Sequence, residues 1–455
     1  MKVGGAVSHP ARGAVSHPAR GAVSHPARGA VSHPARGAVS RPGRGAVSRS
    51  GRGAVSRSGR GNLAVGQSGG PTVAINSSLC GVVQEAMAHA EVGEIYGMFR
   101  GIDGLLKDQF IDLRRQSAEV IEGLRHTPSA ALGSARHKVT SQDYSRILEV
   151  LRKRNIRYLC YIGGNDSADT SWQLSRLAAE VGYELYVMAV PKTVDNDLRM
   201  TDHCPGYPSA ARFVALALRD TGRDTEAMGP ASPVKIVEIM GRNAGWLTAA
   251  AALARQEDGD APHLVYVPER PVGVEQLLDD VQRCYDEREH VVIAMSEGAQ
   301  ESPGKTLGEE YGSKEIDAFG HKMKGGVSDF VATLLTGKLG LKVRLDKPNY
   351  LQRSMMVCAS SIDLDEAYRV GRAAVQEVVA GRAQGMVTLL RDPGPQYHGS
   401  TGVASLEEVA NQERVFPADW MNAAGNWPTP AFLDYARPLV GELQPNYVRL
   451  AHNWA

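Results

Sequence analysis

No run of apolar residues in this 455-residue sequence approaches the ~20 that a helical membrane span needs, so no membrane association is expected. Cysteine is scarce too. Its five copies (Cys80, Cys160, Cys204, Cys284, Cys358) are scattered without a CxxC spacing, which points away from both a disulfide framework and a zinc site. Reduced thiols in a cytoplasm fit that usage. Aromatic residues make up only 6% of the chain, whereas 43% hydrophobic and 22% charged residues are proportions of a globular protein with room for two to four domains.

Acid is absent from residues 1–60. They hold ten Arg and Lys2, and the remaining 40 basic residues face 50 acidic ones, so a body near −10 follows a tail near +11. An acidic body argues against nucleic acid as a partner. The tail is a tandem octamer: "GAVSHPAR" four times from Gly5, then "GAVSRPGR" and two copies of "GAVSRSGR". Each unit offers too little apolar surface to offset the entropy of ordering, so residues 1–61 read as a disordered appendage. An Arg- and Ser-rich start also looks like a transit peptide, but regular Gly and Pro forbid the amphipathic helix such a peptide needs.

From Asn62 short apolar runs alternate with helix-like segments. Strand "NLAVGQSGG" precedes a helix opened by Pro71, with Val73, Leu79, Val82, Val83 and Met87 as its apolar face. Helix "DYSRILEVLRKRN", strand "RYLCYIGG", helix "SADTSWQLSRLAAEVG" and strand "ELYVMAV" follow. The alternation continues with "VKIVEIMG", helix "AGWLTAAAALAR", "HLVYVPE", helix "VEQLLDDVQRCYDER" and "HVVIAMSEG". Such alternation predicts an α/β fold of two doubly wound, mostly parallel sheet domains with the active site in the cleft between them.

In open parallel sheets ligands sit beyond the carboxyl ends of the strands. Here those ends read "GQSGG", "YIGGNDS", "PKTVDND", "IMGRNAGW", "VPE" and "SEG". One glycine-rich ending is usually a turn; six point to a site. In "GQSGGP", Gly69 and Gly70 clear space for an anion at a helix start. "GGNDS" repeats the device with Asp166 added, where a helix cap is the plainer role. "PKTVDND" supplies Lys192 beside Asp195 and Asp197. Phosphoryl transfer needs this set: a carboxylate to take the acceptor proton, oxygen ligands for magnesium, and a cation on the moving group. A dinucleotide fold would need GxGxxG after the first strand, and "GQSGGP" lacks that spacing.

"GGxxxxxxN", "GGNDS", "PKTVDND", "MGR", "SEG" and "YLQRS", in this order, resemble the phosphofructokinase family from Asn62 onward. The resemblance implies phosphoryl transfer to the 1-hydroxyl of fructose 6-phosphate in a homo-oligomer. It makes Gly69 a donor-phosphate contact, Asp195 the proton acceptor, and Thr193 and Asp197 neighbours of the reacting hydroxyl. Met240, Gly241, Arg242 and Glu297 would hold the sugar, and Tyr350 and Arg353 the 6-phosphate. Arg344 would reach a neighbouring subunit, and Arg136 of "LGSARHK" the phosphate side. Asn165 replaces the metal-side Asp of the ATP-type motif but keeps a carbonyl oxygen for Mg2+. Pro233 stands where some members have a subunit-crossing arginine, and Glu301–Gly326 matches no catalytic element and reads as a surface insertion. Residues 62–206 would then form the donor domain and 207–351 the fructose 6-phosphate domain, with 352–455 returning to both.

ATP-using members have glycine at the Asp166 and Lys192 positions. Asp166 would oppose an α-phosphate: two unit charges 4 Å apart repel by about 4 kcal/mol at an effective dielectric of ~20. Lys192 would stabilise charge on pyrophosphate instead. Pyrophosphate is therefore the expected donor and the reaction reversible, the alternatives being an ATP-dependent 6-phosphofructokinase or an inactive sugar-phosphate sensor. Deleting residues 2–60 is expected to leave turnover and thermal midpoint almost unchanged in side-by-side assays with the full chain.

Overall fold

Leu63, Ala64 and Val65 have no solvent exposure on either face, which is the environment of a strand inside a parallel sheet covered by helices on both sides. The computed structural model describes residues 60–135, 137, 139–309, 326–394, 396–443 and 447–451. Residues 1–59 of the octamer tail and residues 310–325 of the expected insertion lie outside them, whereas Gly61, expected to belong to the disordered tail, begins the first strand because it pairs with Val92 of the second. In chain order the strands are β1 (Gly61–Gln67), β2 (Val92–Met98), β3 (Phe110–Asp112), β4 (Ile156–Gly163), β5 (Tyr186–Pro191), β6 (Val234–Ile239) and β7 (Leu264–Tyr266). Then come β8 (Val291–Ser296), β9 (Gln300–Ser302), β10 (Lys305–Thr306), β11 (Val343–Asp346), β12 (Gln384–Arg391) and β13 (Gly399–Ala404).

Two main sheets result, as expected. The first runs β13-β12-β5-β4-β1-β2-β3, parallel except at its two edges, where β13 and β3 are antiparallel to their neighbours. The second runs β11-β6-β8-β7 and is parallel throughout. β9 and β10 form a hairpin at the start of the expected insertion. The C-terminal stretch contributes to both halves. Helix Ser361–Val379, β12 and β13 join the first sheet, whereas Phe432, Tyr435 and Leu439 of helix Pro430–Val440 enter the core beneath the second.

Helix Ser361–Val379 crosses helix Ile75–Ala88 closely. A Cβ on Gly81 would lie 2.2 Å from the Tyr368 carbonyl and one on Gly371 2.1 Å from that of Ser78, so glycine at both positions lets the backbones touch. The first helix starts at Ile75 rather than at Pro71. Thr72 and Val73 are buried, and Thr72 packs on Gly206, so tertiary contact holds these residues off the helical path. Met87 is exposed, because it falls in the last turn, beyond the buried stripe of Leu79, Val82 and Val83. "AGWLTAAAALAR" is likewise not one α-helix: Trp246–Ala249 is α-helical and Ala250–Ala254 tightens into 3₁₀ geometry, buried throughout.

Behind the "PKTVDND" loop lies a buried charge cluster. His203 has one ring nitrogen 3.0 Å from Asp202 and the other 2.6 Å from Glu366 of helix Ser361–Val379. Glu366 also accepts from Tyr397 and Arg369, and Arg391 of β12 forks onto Asp202. Burial opposes a charge on His203, but the hydrogen bonds to Asp202 and Glu366 outweigh it and raise its pKa. The same contacts, with Arg391, outweigh burial and hold Asp202 down at about 2. A raised histidine stabilises the fold fully below its unfolded pKa of ~6.5, and that contribution is lost as pH climbs through the folded value. His203→Gln should therefore cost on the order of 3 kcal/mol in slightly acidic buffer. The gap in thermal midpoint from wild type should narrow as pH rises above the ordinary histidine range; a gap independent of pH would show a neutral ring.

Candidate active site

β1 ends in Gln67, and Gly69 then turns with φ 75°, a left-handed backbone that suits glycine. β5 ends in Pro191, one residue before Lys192. Lys192 is buried and donates from Nζ to the Gly70 carbonyl at 3.0 Å, and a Cβ on Gly69 would come 3.1 Å from that Nζ. Its ammonium thus fills the floor of the glycine loop. Burial and the neighbouring Arg353 charge pull its pKa down to about 8 against Asp195 and Asp197.

After Lys192 the chain reverses sharply. Asn196, fully buried, takes φ 55°, so the residues on either side of it are turned by a left-handed kink. Asn196 Oδ1 accepts from the Cys204 N–H at 2.9 Å and its amide donates to Tyr435 Oη at 3.0 Å. Thr193 Oγ1 accepts from the Asp195 N–H at 3.0 Å. Asp195 is pushed upward by burial and the Glu297 carboxylate, opposed by Lys192, Arg353 and Arg242. Asp197 is pushed upward by burial and by Asp195.

Those influences place β6 and β8 ends at the same point as β5. Met240, Gly241 and Arg242 follow β6, with Gly241 at φ 120°. Ser296, at the end of β8, donates to the Gly241 carbonyl at 2.8 Å and accepts from Gly298 N–H at 3.0 Å. A Cβ on Gly298 would lie 1.8 Å from the Arg242 carbonyl, so the "MGR" and "SEG" turns interlock. Gln352 Oε1 accepts from the Met240 N–H at 3.1 Å and ties in the "YLQRS" segment. Arg353 lies against Gly70, where a Cβ would sit 2.3 Å from its guanidinium, and stacks on exposed Tyr350 at 4.3 Å.

Asn165 and Asp166 open helix Asn165–Glu180. The Asn165 amide donates to Asp197 Oδ2 at 3.2 Å, while Asn165 Oδ1 and Asp197 Oδ1 are buried without a hydrogen-bond partner. Two such oxygens suit a hard divalent cation, which takes one or two protein ligands and completes its shell with water and substrate phosphate. Among the described residues no group of three His, Cys, Asp or Glu is built to hold a metal alone. Asp166 is exposed in the first helical turn. Arg344 is exposed on edge strand β11 and bonds Ser232 at 3.2 Å, apart from the Asp195 cluster. Arg136 lies outside the described residues. Sequence reading missed Asn196, Gln352 and Ser296 as supports, although all three stand inside the quoted motifs. It had no local signal at all for Arg414 and Tyr435, which reach the loop from the C-terminal stretch.

Parallel-sheet ends that gather a buried ammonium, guanidinium groups, a glycine-lined loop and paired carboxylates define a phosphoryl-transfer enzyme. The chain belongs to the phosphofructokinase family, whose profile matches residues 62–378. Members generally use a divalent metal. The chain is 39% identical over 396 residues to pyrophosphate--fructose 6-phosphate 1-phosphotransferase of Rhodospirillum rubrum, covering 86% of this chain and 97% of that one. It is 40% identical over 385 residues to the enzyme of the same name from Xanthomonas campestris pv. campestris, covering 83% and 91%. The solved pyrophosphate-dependent phosphofructokinase of Marinobacter aquaeolei superposes with a TM-score of 0.76 at 39% identity, covering 85% and 94%. Gly298→Ala should push the Arg242 carbonyl aside and raise KM for the phosphoryl acceptor by up to about a hundredfold, with the donor KM nearly unchanged. Initial-rate kinetics varying each substrate in turn would check it.

Proposed function

We propose that the protein transfers a phosphoryl group reversibly from pyrophosphate to the 1-hydroxyl of fructose 6-phosphate, giving fructose 1,6-bisphosphate and phosphate. The observation that carries the donor choice is the buried Lys192 ammonium on the floor of the Gly69–Gly70 loop. A cation there meets the phosphates themselves and needs no nucleoside pocket. Asp166, exposed in the first turn of helix Asn165–Glu180, would oppose the further phosphate of a nucleotide.

Asp195 takes the proton of the 1-hydroxyl, whose oxygen then attacks the terminal phosphorus as the bridging P–O bond breaks. Lys192 offsets the charge moving onto the leaving phosphate. Thr193 fixes the Asp195 backbone, and Asp197 borders the acceptor. Met240, Gly241, Arg242 and Glu297 hold the sugar, and Tyr350 and Arg353 meet its 6-phosphate, with Arg136 on the phosphate side. The divalent ion, Mg2+ in this reading, would be held by Asn165 and Asp197 and would supply neutralisation of phosphate charge. Residues 62–206 would carry the donor half, 207–351 the acceptor half, and 352–455 would serve both. Arg344, exposed at the sheet edge, would serve a neighbouring copy in a homo-oligomer in this reading. Among the described residues no helix is long and apolar enough to cross a membrane; a cytoplasmic location is part of the proposal.

Fructose 6-phosphate phosphorylation assayed with each donor should give a kcat/KM for pyrophosphate exceeding that for ATP by about a hundredfold or more. A preference for ATP would overturn the donor assignment. Asp195→Asn should lower turnover by about 10²–10⁴-fold with fructose 6-phosphate binding nearly intact, and turnover close to wild type would remove Asp195 from the mechanism.

A further inference from the structure

The catalytic loop between Lys192 and Gly206 is held from behind by residues that come more than two hundred positions later in the chain. Two of them converge on one point. Tyr435 of helix Pro430–Val440 accepts from the Asn196 amide at 3.0 Å and donates its phenol proton to the Asp202 carbonyl at 2.8 Å. Arg414 donates its backbone N–H to the Asp197 carbonyl at 2.6 Å. Its guanidinium donates to the Thr201 and Asp202 carbonyls, lies 3.5 Å from Tyr435 Oη, and stacks 4.1 Å over Trp246. Trp246 begins the helix just after the Met240–Arg242 turn.

Asn196 cannot be set by local preference alone. A non-glycine residue in the left-handed region is uncommon, and asparagine is among the few that tolerate it. Both ends of its amide are spoken for, one by Cys204 within the loop and the other by Tyr435 outside it. The angle at Asn196 decides how Asp195 and Asp197 are disposed toward each other. Burial favours their separation or protonation, so an external restraint is required to hold them at one angle.

We propose that Tyr435, assisted by Arg414, is a positioning residue for phosphoryl transfer: its hydroxyl latches the Asn196 reversal and so fixes Asp195 and Asp197 against the acceptor. The Arg414 stack on Trp246 ties the same latch to the sugar-binding turn. This inference rests on Asp195 acting as the base.

Tyr435→Phe removes the hydroxyl and keeps the ring, which packs against Trp246, Trp420 and Phe432. In the full chain, kcat should fall by about tenfold or more while KM for pyrophosphate and for fructose 6-phosphate each stay within about threefold. Asn196→Gly keeps the left-handed turn and loses the amide, and it should lower kcat in the same way. Because the two groups share one hydrogen bond, their losses of kcat should be less than multiplicative in the double variant. An unchanged kcat in Tyr435→Phe, or losses that multiply in the double variant, would overturn the proposal. A loss of kcat matched by a fall in folded fraction, read by circular dichroism at the assay temperature, would also overturn it, since that is a purely structural role. Where Tyr435→Phe does not fold, Asn196→Gly decides: normal kcat in that variant overturns the latch. If Asp195→Asn stays active the base assignment itself fails; if Asp195→Asn is dead and Tyr435→Phe is normal, only the latch fails.

Discussion

Two carboxylates two residues apart in a half-buried loop repel each other and resist desolvation, and the body of this protein is arranged to hold them there. Asp195 and Asp197 are both driven toward protonation by burial and by neighbouring negative charge. The compensation comes from three directions. Lys192 arrives from the end of β5, Arg242 from the end of β6, and Arg353 from the segment after β11. Two of the three are tied in turn to backbone: Lys192 to the Gly70 carbonyl, and the Arg242 turn to the interlocked Ser296–Gly298 turn. A buried charge cluster of this kind adds little net stability; what it supplies is a fixed electrostatic setting for charge that develops during reaction.

That setting requires close backbone approach, which explains where glycine recurs. Gly70 admits the Arg353 guanidinium, Gly298 admits the Arg242 carbonyl, and the Gly81–Gly371 crossing brings helix Ser361–Val379 onto the first layer. The last of these is remote from the site but not independent of it. The same helix carries Glu366 to His203 and Asp363 to the N–H groups of Gly206 and Ser209. The far end of the catalytic loop is thereby anchored to the helix that closes the first half, and its near end to the sheet.

Much of the site was legible without coordinates because the strand ends of parallel sheets are local features. Glycine after an apolar run, with a charged residue next to it, marks a place where the backbone must approach a ligand. The roles given to Lys192, Asp195, Asp197, Arg242 and Glu297 all rest on such short segments, and the structure brings these five together. The errors were of another kind. Pro71 was read as a helix start from its propensity, and the alanine-rich segment after Trp246 as one helix from its composition, yet in both cases burial against distant residues decided the backbone. Propensities are worth tenths of a kcal/mol per residue, and tertiary packing overrides them.

The sequence by itself determined the chemistry on offer: which groups stand at the strand ends, the alternation that yields two parallel sheets, and the lysine that suits a small inorganic donor. Only the tertiary structure decided how those groups are aimed. Asn196 Oδ1 finds Cys204 within the same loop, but its amide finds Tyr435 across 239 positions, and Arg414 reaches the Asp197 carbonyl from a similar distance along the chain. No period or spacing encodes such a contact, because it exists only once helix Pro430–Val440 has packed beneath the second sheet. The unpartnered oxygens of Asn165 and Asp197 are likewise visible only when β4 and β5 lie side by side, since their ends meet at Gly163 and Pro191.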